Sequence, residues 1–383
     1  MDKWIWLAES LFKGSRKAGA LLTHFGDAEA IFRADESTLA NSKIPLTENE
    51  LSGLTLKDLS AASKILSDCQ KEGIRIIPRT SKEFPKRLLE IPDCPTLLYA
   101  KGQVLSVDDE PVIAVVGTRR ASAQGRSAAN KISEEIAASG GVLCSGMARG
   151  IDSIAMESAL RAGGKVIGVL GCGLDICYPA ENKTLMKQVE LSGTLISEYP
   201  PKTRPNKFNF PKRNRIISAM SLGTVVIEAP DQSGALITAR QALEQNRDVF
   251  AVPSGIFEPL ARGSNNLIRE GAVPIMSGRD VMAEYVHLFP DKINLAPVAI
   301  AESDTQKSVV VDKEEFSLSE EFLAKHSPDE QAILRAVSVD ELRLDEISAK
   351  CDMPIAKLLS LVTMLEIRGS LKKLSDNHFK ISF

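Results

Sequence analysis

From residue 111 onward, short apolar runs alternate with segments of helical periodicity. VIAVVG, GVLCSG, KVIGVLG and GTVVIEA are apolar runs bounded by glycine, and TLISEY, DVFAVPS and VPIM continue the series. Continuous Val/Ile runs of this kind are typical of strands that are buried on both faces of a sheet. Because the runs alternate with helical segments, the sequence predicts an α/β fold built on a doubly wound parallel sheet.

The segments on either side of the sheet follow other patterns. A chain of 383 residues favours two or three domains. Residues 1–72 repeat apolar positions three and four apart, which predicts a small helical domain. Residues 73–285 hold the sheet, preceded by two short β-like pieces, IRII and TLLYA. Residues 286–325 lack periodicity and predict a linker, whereas 326–383 follow the order helix, helix–turn–helix, hairpin, which predicts a winged helix whose first helix starts at Pro328 with Ser327 as its cap.

Positive charge is concentrated in the middle of the chain. The formal net charge is −3, but residues 111–280 hold 20 Lys and Arg against 15 Asp and Glu, which leaves 27 against 35 elsewhere. Residues 200–227 contain six cations and no acid. This distribution favours an anionic partner for the central domain.

The N-terminus and the cysteines exclude several classes of protein. No run of eighteen apolar residues occurs, and charges interrupt the first residues too early for a signal peptide, so we expect a cytoplasmic protein without a membrane partner. The six cysteines form no CxxC pair, and four lie in apolar or glycine-rich surroundings. We therefore predict buried free thiols and no metal site.

The first strand-to-helix loop carries a pair of arginines. In open parallel sheets, ligands bind outside the carboxyl ends of the strands, where such loops gather. In GTRRASAQGR, Gly117 allows a tight turn, Thr118 offers a hydroxyl, and Arg119 and Arg120 bring two guanidiniums to the start of the next helix. The spacing is not that of a dinucleotide fingerprint. The loop predicts an anion site, with a solvated basic turn as the alternative.

The second and third loops are rich in glycine. In CSGMARGID, Ser145 and Gly146 can present backbone N–H groups to a phosphate, and Asp152 is predicted to cap the following helix. In GCGLDICYP, Gly171 and Gly173 would allow a ligand to approach the backbone closely. The cysteines of the third loop lack the spacing of common zinc pairs, and no histidine is near.

The fourth loop, NKFNFPKRNRIISAMS, raises the question of why so many cations adjoin a helix start. We expect Pro211 to take the first helical position, so that Lys212, Arg213 and Arg215 fall in the first turn beside Asn214. The helix dipole disfavours cations there. An ordinary solvated helix start would show acids instead, so we interpret the cations as ligands for an anion.

Two phenylalanines accompany these cations. Phe208 and Phe210 could stack under bases while Lys207 contacts phosphate, as in proteins that bind single strands. One of the rings fits a core position equally well, and because Phe210 adjoins the cations we expect it to be the exposed one. A single small ligand does not require this many charges, so single-stranded nucleic acid fits the segment better than a nucleotide.

The remaining rim residues leave the question of catalysis open. Glu228, in the fifth loop, could be a general base or could hold the neighbouring arginines in position, and Asn265 completes the rim. Residues 111–280 contain no histidine, no GxSxG elbow and no P-loop lysine. We therefore expect a binding protein rather than an enzyme.

Seven motifs in order give the sequence a resemblance to a known family. GTRRASAQGR, SGMARGIDSIAMESAL, VIGVLGCGLDICYPAEN, SEYPP, NFPKRNRIISAMS, SGALITARQALEQNRDVFAVP and GSNNLIREGA together resemble the DNA-processing protein A family, also called DprA or Smf, over about 110–275. The resemblance implies a Rossmann-like domain that binds single-stranded DNA, loads the RecA recombinase onto it during natural transformation and forms a homodimer, with neither a cofactor nor catalytic activity. It also implies an N-terminal domain of sterile-alpha-motif or helix-hairpin-helix type and a C-terminal winged helix.

The family's DNA pocket can be placed on matching positions of this chain. The implied pocket residues are Gly117, Thr118, Arg119, Gly171, Gly173, Lys207, Phe210, Arg213 and Arg215. Thr118 stands where serine is commoner in the family, and it keeps the hydroxyl.

Two alternatives remain. The same fold hosts nucleotide and nucleoside-monophosphate hydrolases similar to the LOG family, for which Glu228 could serve as the acid, but this chain has APDQSGALIT in place of a PGGxGT-type loop. A transcriptional regulator would instead read duplex DNA with its winged helix. The expected recognition helix, IAKLLSLVTMLEIRG, has only Lys357 and Arg368 as cations, partly balanced by Glu366, so a protein-contact module is equally consistent with it.

Overall fold

The computed structural model describes residues 1–11, 13, 15–295, 326–337, 342–351, 353–368, 370–373 and 378–381. The chain divides into two compact units, Met1–Val298 and Ala299–Phe383. Most of the predicted linker, 296–325, lies outside the described residues. The boundaries predicted for the four segments stay predictions.

The first unit contains fourteen α-helices and nine strands in its described part. The helices are α1 (Asp2–Ser10), α2 (Lys17–Phe25), α3 (Ala28–Arg33), α4 (Glu36–Asn41), α5 (Glu48–Leu56), α6 (Ser60–Lys71), α7 (Lys86–Leu89), α8 (Ala123–Ala138), α9 (Ile151–Arg161), α10 (Lys183–Ser192), α11 (Asn209–Met220), α12 (Gly234–Glu244), α13 (Arg262–Arg269) and α14 (Gly278–Ala283). The strands are β1 (Arg75–Pro78), β2 (Leu97–Gly102), β3 (Val112–Val116), β4 (Val142–Ser145), β5 (Val166–Leu170), β6 (Thr194–Ser197), β7 (Gly223–Val226), β8 (Asp248–Ala251) and β9 (Val273–Pro274).

The nine strands form one sheet in the order β1-β2-β6-β5-β4-β3-β7-β8-β9. The strands from β6 to β9 pair in parallel, and β1 and β2 add an antiparallel pair at one edge. The predicted doubly wound parallel sheet is confirmed. IRII and TLLYA form β1 and β2, as the sequence predicts.

Strand β3 shows why these apolar runs become central strands. All five of its residues are buried, and they alternate between the two cores of the unit. Ile113 and Val115 face the core that holds α8, α9, α10 and the N-terminal helices, whereas Ala114 and Val116 face the core that holds α11, α12 and α13. A strand with a core on each face needs apolar residues at every position.

The position of β3 fixes where a ligand can enter. The chain passes from β3 through β4 and β5 to β6 on one side, and then returns to place β7 on the other side of β3. The loops after β3 and β7 therefore diverge, and a crevice opens between them at the carboxyl edge of the sheet. Val116 of β3 pairs with Val226 of β7 at the bottom of this crevice.

Among the described residues before β1 there are six short helices, in the segment where the sequence predicts a helical domain. Trp6 and Ile31 of these helices lie in the same hydrophobic cluster as Leu97 and Tyr99 of β2. The N-terminal helices therefore pack against the antiparallel edge of the sheet within one compact unit. Within the described residues, no helix combines the length and hydropathy needed to cross a membrane.

The second unit has the element order that the sequence predicts for a winged helix. In its described residues the elements are α15 (Pro328–Val337), β10 (Leu342–Arg343), α16 (Leu344–Cys351), α17 (Ile355–Ile367), β11 (Leu371–Lys373) and β12 (His378–Ile381). The strands form an antiparallel sheet in the order β10-β12-β11. The predicted start of α15 is confirmed, because Pro328 is its first residue and Ser327 and Glu330 exchange hydrogen bonds across its first turn.

Candidate functional site

A cavity of about 530 Å³ opens at the carboxyl edge of the sheet, where the crevice between β3 and β7 lies. Loops that follow five parallel strands, β3 to β7, contribute to its lining. The residues of this cavity used below are Gly117, Thr118, Arg119, Asp152, Tyr178, Lys207, Phe210, Arg213, Asn214, Ser233 and Thr238. The cavity therefore lies where the sequence predicts an anion site.

Backbone hydrogen bonds fix the loop after β3. The N–H of Thr118 donates to the carbonyl of Glu228 (2.7 Å), and the carbonyl of Thr118 accepts from the N–H of Ile151 (3.2 Å). A Cβ at Gly117 would lie 2.5 Å from a side-chain carbon of Ile151, so only glycine fits there. The side chains of Arg119 and Arg120 project to the exposed surface while their backbone is held. The loop thus presents two guanidiniums from a rigid base.

Glu228 holds this loop from below. The carboxylate is 6% exposed and accepts two hydrogen bonds from Ser122, one from the backbone N–H (2.8 Å) and one from Oγ (2.6 Å). Ser122 in turn caps α8 by accepting from the N–H of Gly125 (2.9 Å). Of the two roles that the sequence leaves open for Glu228, this contact favours holding the neighbouring arginines in position, because the carboxylate binds Ser122 at the end of their loop. Through that residue it positions the end of the arginine loop.

Helix α11 begins earlier than the sequence suggests. Asn209 is its first residue, so Pro211 is the third and not the first. Proline is tolerated there because the first N–H groups of a helix have no acceptor within the helix. As a consequence, Arg213 and Arg215 lie in the second turn, where the positive end of the helix dipole no longer disfavours a cation. The prediction that both lie in the first turn is wrong.

Arg213 is an internal residue. Its side chain is 4% exposed, and its guanidinium donates to the carbonyls of Gly146 (2.8 Å) and Val169. The sequence-based expectation of a solvent-facing ligand is thus corrected: Arg213 lies at the floor of the cavity and ties α11 to the loop after β4 and to β5. The two carbonyl acceptors and the nearby carboxylate of Asp152 offset the cost of burying this cation.

Asp152 lies beside this arginine and is not the helix cap that the sequence predicts. It is the second residue of α9, whose cap is Gly150, and its buried carboxylate accepts from the N–H groups of Gly146 (3.2 Å) and Ala148 (3.4 Å). Burial raises the pKa of Asp152, and burial lowers the pKa of Arg213, while the charge of each opposes the shift of the other. The two side chains form a charged floor under the cavity.

Arg215 belongs entirely to the interior. It is 3% exposed, and both oxygens of Glu198 accept from its Nη2 (2.9 Å each), while its Nε lies 3.1 Å from Oδ2 of Asp93. Arg215 therefore does not reach the cavity, and its predicted role as a DNA ligand is corrected. Glu198 and Asp93 hold the guanidinium in the interior, because a buried charge requires a partner of opposite sign.

Four other predicted residues also serve the interior. Ser145 is fully buried and its Oγ donates to the carbonyl of Val115 (2.7 Å), while the N–H of Gly146 is taken by Asp152. The N–H of Gly146 is therefore not available to a phosphate, and the predicted role of Ser145 is corrected because the residue is fully buried. Gly171 is buried where a Cβ would lie 3.0 Å from the ring of Phe210, and Gly173 is packed against the backbone of the loop after β6. These glycines allow loops to pack closely, and the prediction that a ligand approaches them is corrected.

The two predicted asparagines differ in position. Asn214 lines the cavity, where its Oδ1 accepts from Nε of Arg213 (3.3 Å). Asn265 lies outside it and exchanges two hydrogen bonds with the backbone of Ser254, each 3.1 Å long. Asn265 therefore fixes the loop after β8, and its predicted place on the rim is corrected.

The exposed cations at the rim have no acidic partner in the part of the chain that the structure describes. They are Arg119 and Lys207, which line the cavity, and the exposed cations near them in the sequence, Arg120 after β3 and Lys212 near the start of α11. Of the four cations that the sequence singles out in residues 206–221, two are therefore surface charges and two are internal. Unpaired surface cations retain their full attraction for an anionic ligand.

Aromatic rings lie among these cations. Phe210 is half-buried, and its ring stacks on that of Tyr178 with the centroids 5.3 Å apart and the planes at 23°. The guanidinium carbon of Arg119 lies 5.6 Å from the Phe210 centroid. Phe208 is the more exposed ring, at 66%, with Nζ of Lys207 5.1 Å from its centroid. The expectation that Phe210 is the more exposed of the two is wrong, although Phe210 does line the cavity.

Sequence reasoning missed Tyr178. This residue follows β5, is 43% exposed and lines the cavity beside Phe210. Its position after a strand of the parallel sheet was a usable signal, because the other site loops share it.

Comparisons with known proteins agree with this architecture. The family model described as DNA recombination-mediator protein A matches residues 75–286, and the DprA winged helix domain matches 320–377. The DNA processing protein DprA of Bacillus subtilis is 38% identical over 260 residues, which cover 66% of this chain and 88% of that protein. Protein Smf of Escherichia coli is 33% identical over 298 residues, covering 77% and 74%.

Solved structures show the same relationship. The crystal structure of DNA processing protein A from Streptococcus pneumoniae matches with a TM-score of 0.65 and 34% identity, covering 74% of this chain and 98% of that one. A structure from Helicobacter pylori, described for the single-stranded DNA binding mode of its DNA processing protein A, matches with a TM-score of 0.50 and 29% identity, covering 56% and 96%. From the sheet, the winged helix and these matches together, the chain belongs to the DNA recombination-mediator protein A family.

Proposed function

We propose that this protein binds single-stranded DNA in the cavity at the carboxyl edge of its sheet and loads the RecA recombinase onto that DNA in the cytoplasm, during natural transformation and recombination. The observation that carries the proposal is the combination of unpaired cations with stacked rings around one cavity. Family membership supports it, as does the Helicobacter pylori relative described for its single-stranded DNA binding mode.

Charge is the first reason for a polynucleotide strand. Arg119, Arg120, Lys207 and Lys212 are exposed and have no carboxylate partner in the described part of the chain, so each is available to a phosphate. Their number exceeds what one mononucleotide needs, and a strand brings one phosphate per nucleotide. Cations that replace condensed counterions supply much of the affinity of proteins for nucleic acid.

The rings are the second reason, and they favour a single strand over a duplex. A base can stack on an aromatic ring only when it is not already stacked and paired in a double helix. Phe210 and Tyr178 line the cavity, and Phe208 is exposed next to Lys207. Stacking tolerates every base, so we expect little sequence preference.

A salt titration of oligonucleotide binding tests the proposal. Fluorescence anisotropy with labelled oligodeoxythymidylate should show affinity that falls steeply with salt, by a slope of about −0.7 in log K against log salt for each contacted phosphate. A duplex of the same length should bind more weakly at every salt concentration. Salt-insensitive binding of the single strand, or preference for the duplex, would reject the proposal.

A binding role without catalysis is part of the same proposal. The rival hydrolase requires Glu228 as an acid or base, yet both carboxylate oxygens of Glu228 are occupied by Ser122 beneath the loop. The test is incubation of AMP with the purified protein, followed by chromatography for free adenine. Release of adenine that is lost in Glu228→Gln would establish the hydrolase instead.

The proposed partners are a second copy of the chain and RecA. Support for self-association comes from exposed apolar residues near the edge strand β9: Val273 is 45% and Met276 is 77% exposed. An apolar surface at a sheet edge is a favourable place for a partner. Light scattering after size exclusion should report a dimer, and Met276→Glu should shift it towards monomer.

RecA loading needs a functional assay. In strand exchange with single-stranded DNA already covered by a single-strand binding protein, addition of this protein should shorten the delay before RecA acts. Arg119→Ala should make that effect smaller at the same protein concentration, because the loader holds the strand with one phosphate contact fewer. An unchanged delay with wild-type protein would remove RecA loading from the proposal and leave DNA binding intact.

A further inference from the structure

A second, smaller space adjoins the main cavity on the side of the loops after β4 and β5. It measures about 60 Å³, and Arg149, Pro179 and Gly146 line it together with residues that also line the main cavity. The shared residues include Arg119, Tyr178 and Phe210. The stacked pair of rings therefore separates two spaces, and Arg119 borders both.

Tyr178 is held in place by the loop that carries it. The carboxylate of Asp175 accepts from the N–H of Lys202 (2.9 Å), which ties this loop to the one after β6. On the other side, Nδ2 of Asn182 donates to the carbonyl of Met147 (2.8 Å), which ties it to the loop after β4. With Phe210 packed beside it, the ring of Tyr178 is oriented before any ligand arrives. A ring that is already oriented can stack a base with little further loss of entropy.

Arg149 supplies a cation beside this ring. Its Nε lies 2.8 Å from Oε1 of Glu181, and the two side chains are 61% and 55% exposed. An ion pair this exposed contributes little to stability, so the guanidinium can exchange the carboxylate for a phosphate at small cost. Glu181 would then act as a competitor for the same guanidinium.

We infer that Tyr178 and Arg149 form a second nucleotide subsite, in which the base stacks on the ring of Tyr178 and the phosphate exchanges with Glu181 on Arg149. The inference rests on the proposed binding of single-stranded DNA. It gives the strand a path: from the main cavity, past Arg119 and the ring pair, to the loops after β4 and β5. The ligand is the adjacent nucleotide of the same strand.

Base and phosphate can be tested separately with two probes, oligodeoxythymidylate and an abasic oligonucleotide of equal length. Tyr178→Leu should weaken binding of the thymidylate about five- to ten-fold and leave the salt slope and the binding of the abasic strand unchanged. Tyr178→Phe should bind as wild type, which shows that the flat ring matters and that the protein still folds. Equal weakening of both probes by Tyr178→Leu would overturn the stacking role.

Substitutions of the two members of the ion pair should change the affinity for single-stranded DNA in opposite directions. Arg149→Gln should reduce the salt slope by about 0.7 with both probes, because one phosphate contact is lost. Glu181→Gln should tighten binding about two- to five-fold, because the competing carboxylate is removed. Weaker binding by Glu181→Gln would contradict the exchange and would indicate that the pair only holds the loop.

A matched control lies on helix α9, which begins next to Arg149. Nη2 of Arg161, at the far end of that helix, pairs with Glu134 at 3.5 Å, and their side chains are 56% and 31% exposed. Arg161→Gln and Glu134→Gln should leave both probes unaffected. If wild-type protein binds no single strand, the proposed function fails. If wild type binds and the Tyr178, Arg149 and Glu181 variants behave like these controls, the subsite alone is rejected.

Discussion

Two regions of the molecule are candidates for contact with nucleic acid, the rim of the central sheet and helix α17 of the winged helix, and their cations are used differently. Arg119 and Lys207 at the rim have no carboxylate partner within the described residues. On α17 and just after it, Nζ of Lys357 lies 2.5 Å from Asp329, and Nη1 of Arg368 lies 3.0 Å from Glu330. The difference teaches that a count of cations does not identify a surface for phosphate, because a paired cation, such as Arg149, reaches a phosphate only where a ligand held beside it can displace the carboxylate.

The exposed face of α17 differs from the rim in a second way. Ile355 and Leu359 are 55% and 54% exposed, one helical turn apart, and Met364 is 45% exposed. Apolar side chains on an open helix face favour contact with protein over contact with the polar edges of duplex DNA. Of the two interpretations that the sequence leaves open for this unit, the structure favours the protein-contact module.

The largest effect should be the loss of stability when a buried, paired cation is replaced. If pairing is unimportant, a buried and an exposed cation should be equally replaceable. Arg215→Met removes the guanidinium that pairs with the buried carboxylate of Glu198, and we expect the free energy of unfolding to fall by about 3–5 kcal/mol. Lys212→Met, three residues earlier and exposed, should leave it unchanged. Chemical denaturation followed by circular dichroism measures both.

A double variant keeps the prediction testable if Arg215→Met does not fold. Arg215→Met combined with Glu198→Met replaces the pair with apolar side chains, and we expect it to regain part of the lost stability. If the double variant is less stable than Arg215→Met alone, the loss is not caused by an uncompensated charge.

The next effect concerns the rings. Phe210→Ala should weaken binding of oligodeoxythymidylate by about 1–3 kcal/mol and leave the salt slope unchanged, because a base loses its stacking surface while every phosphate contact remains. Phe208→Ala, measured in the same anisotropy assay, shows which of the two rings is the main stacking surface for a base. A greater loss for Phe208→Ala would place the main stacking surface on the more exposed ring.

Single cations at the rim should have smaller effects. Lys207→Gln and Arg119→Gln should each weaken binding of all sequences alike and reduce the salt slope by about 0.7. Lys202 is the control in the loop before α11, because its Nζ already lies 2.7 Å from Oδ1 of Asp68. Lys202→Gln should leave the slope as it is, and an equal reduction for all three variants would show that pairing does not separate them.

These contrasts show which parts of the molecule could be predicted from sequence. The runs that become β3 to β7 are recognisable because burial on both faces demands apolar residues at nearly every position, as in Val112–Val116. Parallel pairing then gathers the following loops at one edge, which correctly located Thr118, Arg119 and Lys207 at one cavity. Local sequence pattern and the geometry of parallel sheets were therefore sufficient to predict the central strands and the edge at which these loops meet.

The environment of Arg213 and Arg215 could not be predicted in the same way. Arg215 pairs with Glu198, 17 positions away, and Arg213 donates to the carbonyls of Gly146, in the loop after β4, and Val169, in β5. Tertiary folding brings Glu198 to Arg215, so no pattern in the sequence around Arg215 indicates that the two residues pair. Because α11 starts at Asn209, both arginines fall beyond its first turn. Proline favours the first turn of a helix, but that preference does not fix the residue at which the helix begins.

The smallest effect should come from the winged helix. Lys357→Gln and Arg368→Gln remove cations that already face Asp329 and Glu330, so we expect neither to change the affinity or the salt slope for single-stranded DNA. Deletion of residues 320–383 should likewise preserve single-strand binding, measured by anisotropy on the shortened chain. A regulator that acts through duplex DNA would instead lose its binding with this unit. Loss of single-strand affinity on deletion would show that charge pairing in α17 gives way when DNA arrives, and the distinction between the two regions would then fail.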